Sequence, residues 1–283
     1  MSNIDLKIIK HLLNKLPLNN DIVNIIVSHY LKQLEKKLLP WIDINKLSWN
    51  YLSSNPNAID LLKTNIDKIN NYELYTNPNS FCLYKIDKNP NNINKIANKK
   101  DSINFIKNNL SLLNNQGWYD LSANSNAIHI LEQNIDKINW VGLSSNINGI
   151  DILKKNKDKI HWKTLSKNPN AIELLKENTD KIDWNELSSN INAIELLANN
   201  LDKINWNNLS SNINAIELLE NNLDKINWRK LSYNINAMEL IKNNKDKINW
   251  YSLSANPNAI EIIKDNQDKI SWNIFSRNPA IFE

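Results

Sequence analysis

Between residues 202 and 266 the chain reads DKINWNNLSSNINAIELLENN, then DKINWRKLSYNINAMELIKNN, then DKINWYSLSANPNAIEIIKDN. Apolar and polar positions keep their places from copy to copy, so the pattern is set by a repeated unit. In residues 168–190, Ala171, Ile172 and Leu175 recur at helical spacing. Asn168 supplies a capping side chain and Pro169 suits the first helical position. This predicts a helix of about ten residues, too short to persist alone, closed by Asn178 in the left-handed conformation. Trp184 and Leu187 are three apart and share a face of a second, shorter helical turn. Asp183 and Glu186 open that turn at capping-box spacing, and its length suits a 3₁₀ turn. Neither piece can bury its apolar stripe alone, whereas stacking on neighbouring copies can bury both.

The period is 22 residues, set by Trp118, Trp140, Trp162, Trp184, Trp206, Trp228, Trp250 and Trp272. Counting forward from Trp49 gives Asn71 and Ile93 in the same slot, with Leu74 and Ile96 in the leucine slot and Asn77 in the asparagine slot. Three extra residues beside Gly117 then restore the register at Trp118. The predicted fold is all-α: a right-handed α/3₁₀ helical solenoid of about ten to eleven 22-residue repeats over residues 41–283. Residues 1–40 are predicted to be a helical N-terminal cap that shields the first repeat. About ten rows at ~8–10 Å make the expected array elongated, about 100 Å long. A β-solenoid or leucine-rich repeat would also suit so short a period, but no alternating apolar strand precedes LSSN. The eight tryptophans are the expected repeat core, since a buried indole removes ~150–250 Å² from water, or roughly 4–6 kcal/mol gross per unit.

Composition narrows the chemistry. Apolar residues make up 41% of the 283, enough for a packed structure, and only three are glycine, which disfavours Gly-rich phosphate loops. Cys82 is the single cysteine, which excludes a disulfide framework and fits a reducing compartment. No apolar run approaches the length of a membrane span, and the first residues lack a signal-peptide pattern. The expected location is therefore intracellular. His11, His29, His129 and His161 form no metal-ligand spacing, so no metal is expected. No cofactor motif and no catalytic arrangement stands out. The serines that follow the repeat leucine, such as Ser166, Ser188 and Ser210, recur with the fold and are expected to bond backbone.

The charged columns are weak pointers. Lys181, Lys203 and Lys225 recur once per unit, but Asp180, Asp202 and Asp224 precede them, which describes a self-neutralising exposed ladder. With a net charge of +4 and the aromatics assigned to the core, the chain does not read as a nucleic-acid binder. Asparagines recur in two columns, Asn168/Asn190/Asn212 and Asn170/Asn192/Asn214. The first is assigned to capping; the second is a stacked amide ladder or plain surface. What varies between units is the pair after each tryptophan: Lys163-Thr164, Asn185-Glu186, Arg229-Lys230 and Tyr251-Ser252 among them. A solenoid encodes its partner in such positions, so these residues are the candidate binding surface.

WNYLSSNPNAIDLLKTNIDKI and WKTLSKNPNAIELLKENTDKI carry the pattern W-x-x-L-S-x-N-P-N-A-I-x-L-L-x-x-N-x-D-K-I. It resembles the tandem repeats of proteins from giant viruses that infect amoebae, over roughly residues 41–283. In its logic the unit is also similar to the leucine-rich variant repeat, which alternates α and 3₁₀ helices. Several units depart by placing Ile where Pro stands: Ile147, Ile191, Ile213 and Ile235. The resemblance implies a viral protein in the cytoplasm of an infected cell or in the particle. Residues 16–31, LPLNNDIVNIIVSHYL, look like the start of an F-box. The expectation is a non-enzymatic scaffold for a viral or host protein partner. The alternatives are an F-box-like ubiquitin-ligase receptor and a structural virion component.

Overall fold

A computed structural model describes residues 36–83, 90–99 and 102–283. The expected cap or F-box-like segment therefore lies almost wholly outside the described residues. The array forms one compact unit over residues 42–281. Phe282 and Glu283 belong with the chain before it, where Lys37 and Glu283 exchange backbone hydrogen bonds of 3.2 and 2.8 Å.

Unit 7 shows the plan that the regular repeats follow. A first helix spans Trp184–Leu187, a second spans Ile194–Ala198, and a 3₁₀ turn spans Leu201–Lys203. Asp183 Oδ1 accepts from Glu186 N at 3.0 Å, which is the N-cap half of the predicted capping box; the reciprocal half is replaced by Asp183 N donating to Ser166 Oγ at 3.0 Å. The second helix is shorter than expected. Asn168 does accept from Asn170 N, but Pro169–Ala171 is a 3₁₀ turn, and the α-helix begins only at Ile172. The last residue of the turn, Ala171, has φ −93° and ψ 2°, outside the helical well. The helix closure also differs. Asn178 sits at φ −136°, ψ 54°, not in the left-handed region, and its side-chain amide donates to Leu174 O at 2.8 Å.

The fully buried positions are the leucine three residues after each tryptophan (Leu143, Leu165, Leu187, Leu209), the alanine of each turn (Ala171, Ala193, Ala215) and the second leucine of the second helix (Leu175, Leu197, Leu219), all 0% exposed. This corrects the assignment of the tryptophans. Trp118, Trp140, Trp162, Trp184, Trp206, Trp228, Trp250 and Trp272 are all partly exposed, at the margin of the core. The leucine three residues on fills the interior and leaves the indole at its margin, whether the first helix is four residues long or, as at Asn115–Ala123, nine. Several rings are covered by a lysine of the next unit instead. Lys203 Nζ lies 4.6 Å from the Trp184 ring centroid, Lys225 4.6 Å from Trp206 and Lys247 4.9 Å from Trp228. Such contacts contribute about 0.5–1 kcal/mol each at exposed sites.

Polar side chains lock the units together. Asn190 Nδ2 donates to Ser166 O (3.0 Å) and Asn168 O (2.9 Å) of the preceding unit, while its Oδ1 accepts from Asn192 N (3.0 Å). Asn192 Nδ2 reaches back to Pro169 O at 2.9 Å. Both asparagine columns are thus inter-unit ladders. Ser188 Oγ donates to Trp184 O (2.7 Å) and accepts from Asn205 N (2.9 Å) of the following unit, so the serine column bonds backbone on both sides.

The ladder does not end at the last unit. Asn55 Nδ2 in unit 1 donates to Ser276 O (3.0 Å) and Asn278 O (2.9 Å) in unit 11. Asn57 Nδ2 donates to Pro279 O, and Ser48 N donates to Ser276 Oγ. Lys46 covers Trp272 at 4.9 Å. These are the contacts that join any two consecutive units. Residues 42–281 therefore close into a ring of eleven units, in place of the elongated array about 100 Å long that stacking at constant spacing implied.

Candidate functional site

Closure gives the ring an inside and an outside. The tryptophan-bearing helices of successive units, such as Asn115–Ala123, Trp140–Ser145, Trp162–Ser166 and Trp184–Leu187, pack directly on one another, while the second helices are in looser contact. The elements that converge must lie on the inner side. Two contacts that skip a unit agree. Arg277 of unit 11 reaches Glu73 of unit 2, and Tyr75 of unit 2 reaches Asp120 of unit 4. The leucine end of each first helix is buried, so the residues just after each tryptophan form the inner wall.

Close approach on this wall is visible at Gly142, where an added Cβ would meet Tyr119 O at 2.5 Å. The same crowding corrects one candidate. Ser252 is fully buried, because its small side chain lets the neighbouring helix close over it. The other variable residues stay on the surface. Lys163, Asn185, Arg229, Lys230 and Tyr251 are exposed, and Thr164 and Glu186 partly so. Arg229 lies 6.0 Å from the Tyr251 ring of the next unit. Asn185 Oδ1 accepts from Asn205 Nδ2 at 2.9 Å. Tyr72, Tyr119 and Tyr233 are exposed too, so the aromatics are not all in the core.

Lys163, Thr164 and Glu186 come together in one depression of about 690 Å³, lined also by Ser145, His161, Lys167, Asn168 and Pro169. His161 takes the capping place that Asn139, Asp183 and Asn205 hold in units 5, 7 and 8, its Nδ1 accepting from Thr164 N at 3.3 Å. Lys163 and Lys167 are four apart on the same helical stretch, which sets two cations at one edge of the hollow.

A second hollow of about 490 Å³ is lined by Asn71, Tyr72, Tyr75, Asn94, Lys95, Gln116 and Asp120. Here the repeat is broken. Lys99 fills the asparagine slot of the ladder, and its ammonium donates to the carbonyls of Tyr75 and Asn77. Asp120, 7% exposed, accepts from Tyr75 Oη (2.9 Å) and Gln116 Nε2 (3.1 Å). Burial holds the Lys99 ammonium below the usual lysine range, and the Asp120 charge opposes that shift. Counting 22 on from Asn77 lands on Lys99, so the substitution was open to sequence reasoning; its charge on a buried ladder was the signal.

Among the described residues no group of three or more His, Cys, Asp or Glu is placed to hold a metal ion. No described helix is long and apolar enough to cross a membrane. No protein-family model, curated protein or solved structure matches the chain.

Proposed function

We propose that the ring is a non-enzymatic repeat scaffold that binds a protein partner on its inner wall. The observation that carries this reading is the division of labour within each unit. The leucine, serine and asparagine positions that hold units together are buried and repeat nearly unchanged. The positions after each tryptophan change from unit to unit, and Lys163, Asn185, Arg229, Lys230 and Tyr251 among them are exposed. A wall of that kind offers a rigid framework with a variable face, which suits recognition of one partner. The setting is the one the repeat resemblance implies, a giant virus of amoebae, with the partner in the infected cytoplasm or the particle.

The test is capture from infected-cell lysate with the wild-type chain and with Asn185→Ala/Tyr251→Ala, which alters only exposed wall residues. Loss of a stoichiometric protein from the variant supports the reading. Unchanged capture by the variant contradicts it.

A further inference from the structure

The inner wall differs in charge from the rest of the ring. Its side chains come from the positions one, two and five residues after each tryptophan slot, some of them buried, as Asp120, Ser252 and Ile274 are. Over all eleven units those positions hold six cations, Lys95, Lys163, Lys167, Arg229, Lys230 and Arg277, against three carboxylates. Two of the three carboxylates are already engaged: Glu73 by Arg277 at 2.7 Å, and Asp120 by Tyr75 and Gln116. Glu186 alone stands with the exposed cations. On the second helices, by contrast, charges alternate in sign and pair locally, as Lys176 does with Glu173 (3.4 Å) and Glu195 (3.6 Å). The wall therefore carries most of the chain's net charge of +4.

The cations are concentrated at two places. Lys163 and Lys167 edge the depression of about 690 Å³, and Arg229 and Lys230 lie beside the exposed rings of Tyr233 and Tyr251. Between them stand Asn185 and Asn207, whose Oδ1 atoms accept from Asn205 (2.9 Å) and Asn227 (2.6 Å). That leaves their amide N–H groups as donors along the wall. Separated cationic patches joined by amide donors match a peptide that offers carboxylates at intervals and main-chain carbonyls between them. A phosphate backbone would call for a continuous row of cations.

We propose that units 6 to 10 of the inner wall bind an extended acidic peptide segment. Its carboxylates would meet Lys163/Lys167 and Arg229/Lys230, and its main chain would meet the intervening asparagines. The proposal rests on the reading of the wall as a protein-binding surface and specifies the chemistry of the partner.

Fluorescence anisotropy of the full chain tests it, using three dye-labelled probes: a short peptide of Asp, Glu and Ser, an uncharged Ser/Asn peptide of equal length, and oligouridylate. The acidic peptide is expected to bind most tightly. The variant Lys163→Gln/Lys167→Gln/Arg229→Gln/Lys230→Gln is expected to lose about tenfold or more in affinity. The control Lys154→Gln/Lys155→Gln/Lys242→Gln/Lys264→Gln, on the second helices, is expected to stay within about twofold. All these side chains are exposed, so folding is preserved, and urea unfolding verifies it. Equal binding of the uncharged peptide, or equal loss in the control, overturns the inference. Tighter binding of oligouridylate with the same wall dependence overturns it in favour of nucleic acid. Neither result touches the broader reading, which is judged by partner capture with Asn185→Ala/Tyr251→Ala.

Discussion

Arg277 and Glu73 lie 204 residues apart in the chain, and their side chains meet at 2.7 Å across the junction of the last unit with the first two. The Arg277 guanidinium also lies 4.2 Å from the ring centroid of Tyr51. This is the one junction of the ring that no peptide bond crosses, and it carries an ion pair that the repeat pattern does not supply. Glu73 is only 14% exposed, while Arg277 is 40% exposed, which tempers the strength of the pair. Arg277→Ala is expected to cost about 1–2 kcal/mol. Hydrogen exchange should show the loss concentrated in units 1, 2 and 11, with units 5 to 8 unchanged.

The asparagine ladder should be costly to interrupt. Asn190→Ala leaves two buried carbonyls without their donor and removes a cap, an expected loss of about 2–4 kcal/mol in urea unfolding. Asn190→Asp should be worse, because an ionised carboxylate only accepts and would face the carbonyls of Ser166 and Asn168.

Helical glycine usually gains stability on replacement by alanine, by about 1 kcal/mol. Gly142→Ala should reverse that sign. Its Cβ would be driven to 2.5 Å from the Tyr119 carbonyl, where the first helices of units 4 and 5 pack closest. A fall of about 1–3 kcal/mol is expected in thermal or urea unfolding.

Lys99 should make stability rise with pH. Burial lowers its folded-state pKa below the ordinary lysine value of 10.5, so its charged form is disfavoured on folding. Where the folded protein has released the proton and the unfolded chain still holds it, the unfolded state binds more protons, and stability increases with pH. The penalty is therefore full below the folded pKa and relieved by 10.5. Lys99→Gln keeps an amide donor for the ladder and removes the titration. Its unfolding free energy should lack the rise that the wild type shows as the pH climbs towards 10.5.

The repeat and its framework were legible in the sequence because each column repeats a local requirement: Asp183 caps, Leu187 fills the core, Ser188 and Asn190 bond backbone. The variable surface was legible for the same reason, apart from Ser252, whose burial depends on the helix beside it. Three features were not. Size argues for the tryptophans as the core, but Leu187 takes the interior and leaves Trp184 at its margin under Lys203. The second helix was read as about ten residues, but the turn at Pro169–Ala171 leaves the helical well before it starts. Ring closure was hidden because curvature comes from the difference in spacing between the first and second helices of successive units. No single unit contains that difference.

Closure is the claim on which the inner wall depends, and spin-label distances test it most directly. With the single native Cys82 replaced by serine, labels at Asp60→Cys and Glu261→Cys mark equivalent positions on the second helices of units 1 and 10. A reference pair at Glu217→Cys and Glu261→Cys marks units 8 and 10, also two units apart. The ring predicts the same two-unit separation for both pairs. A separation of about 70–90 Å for the first pair, as nine steps between stacked rows would give, would contradict it.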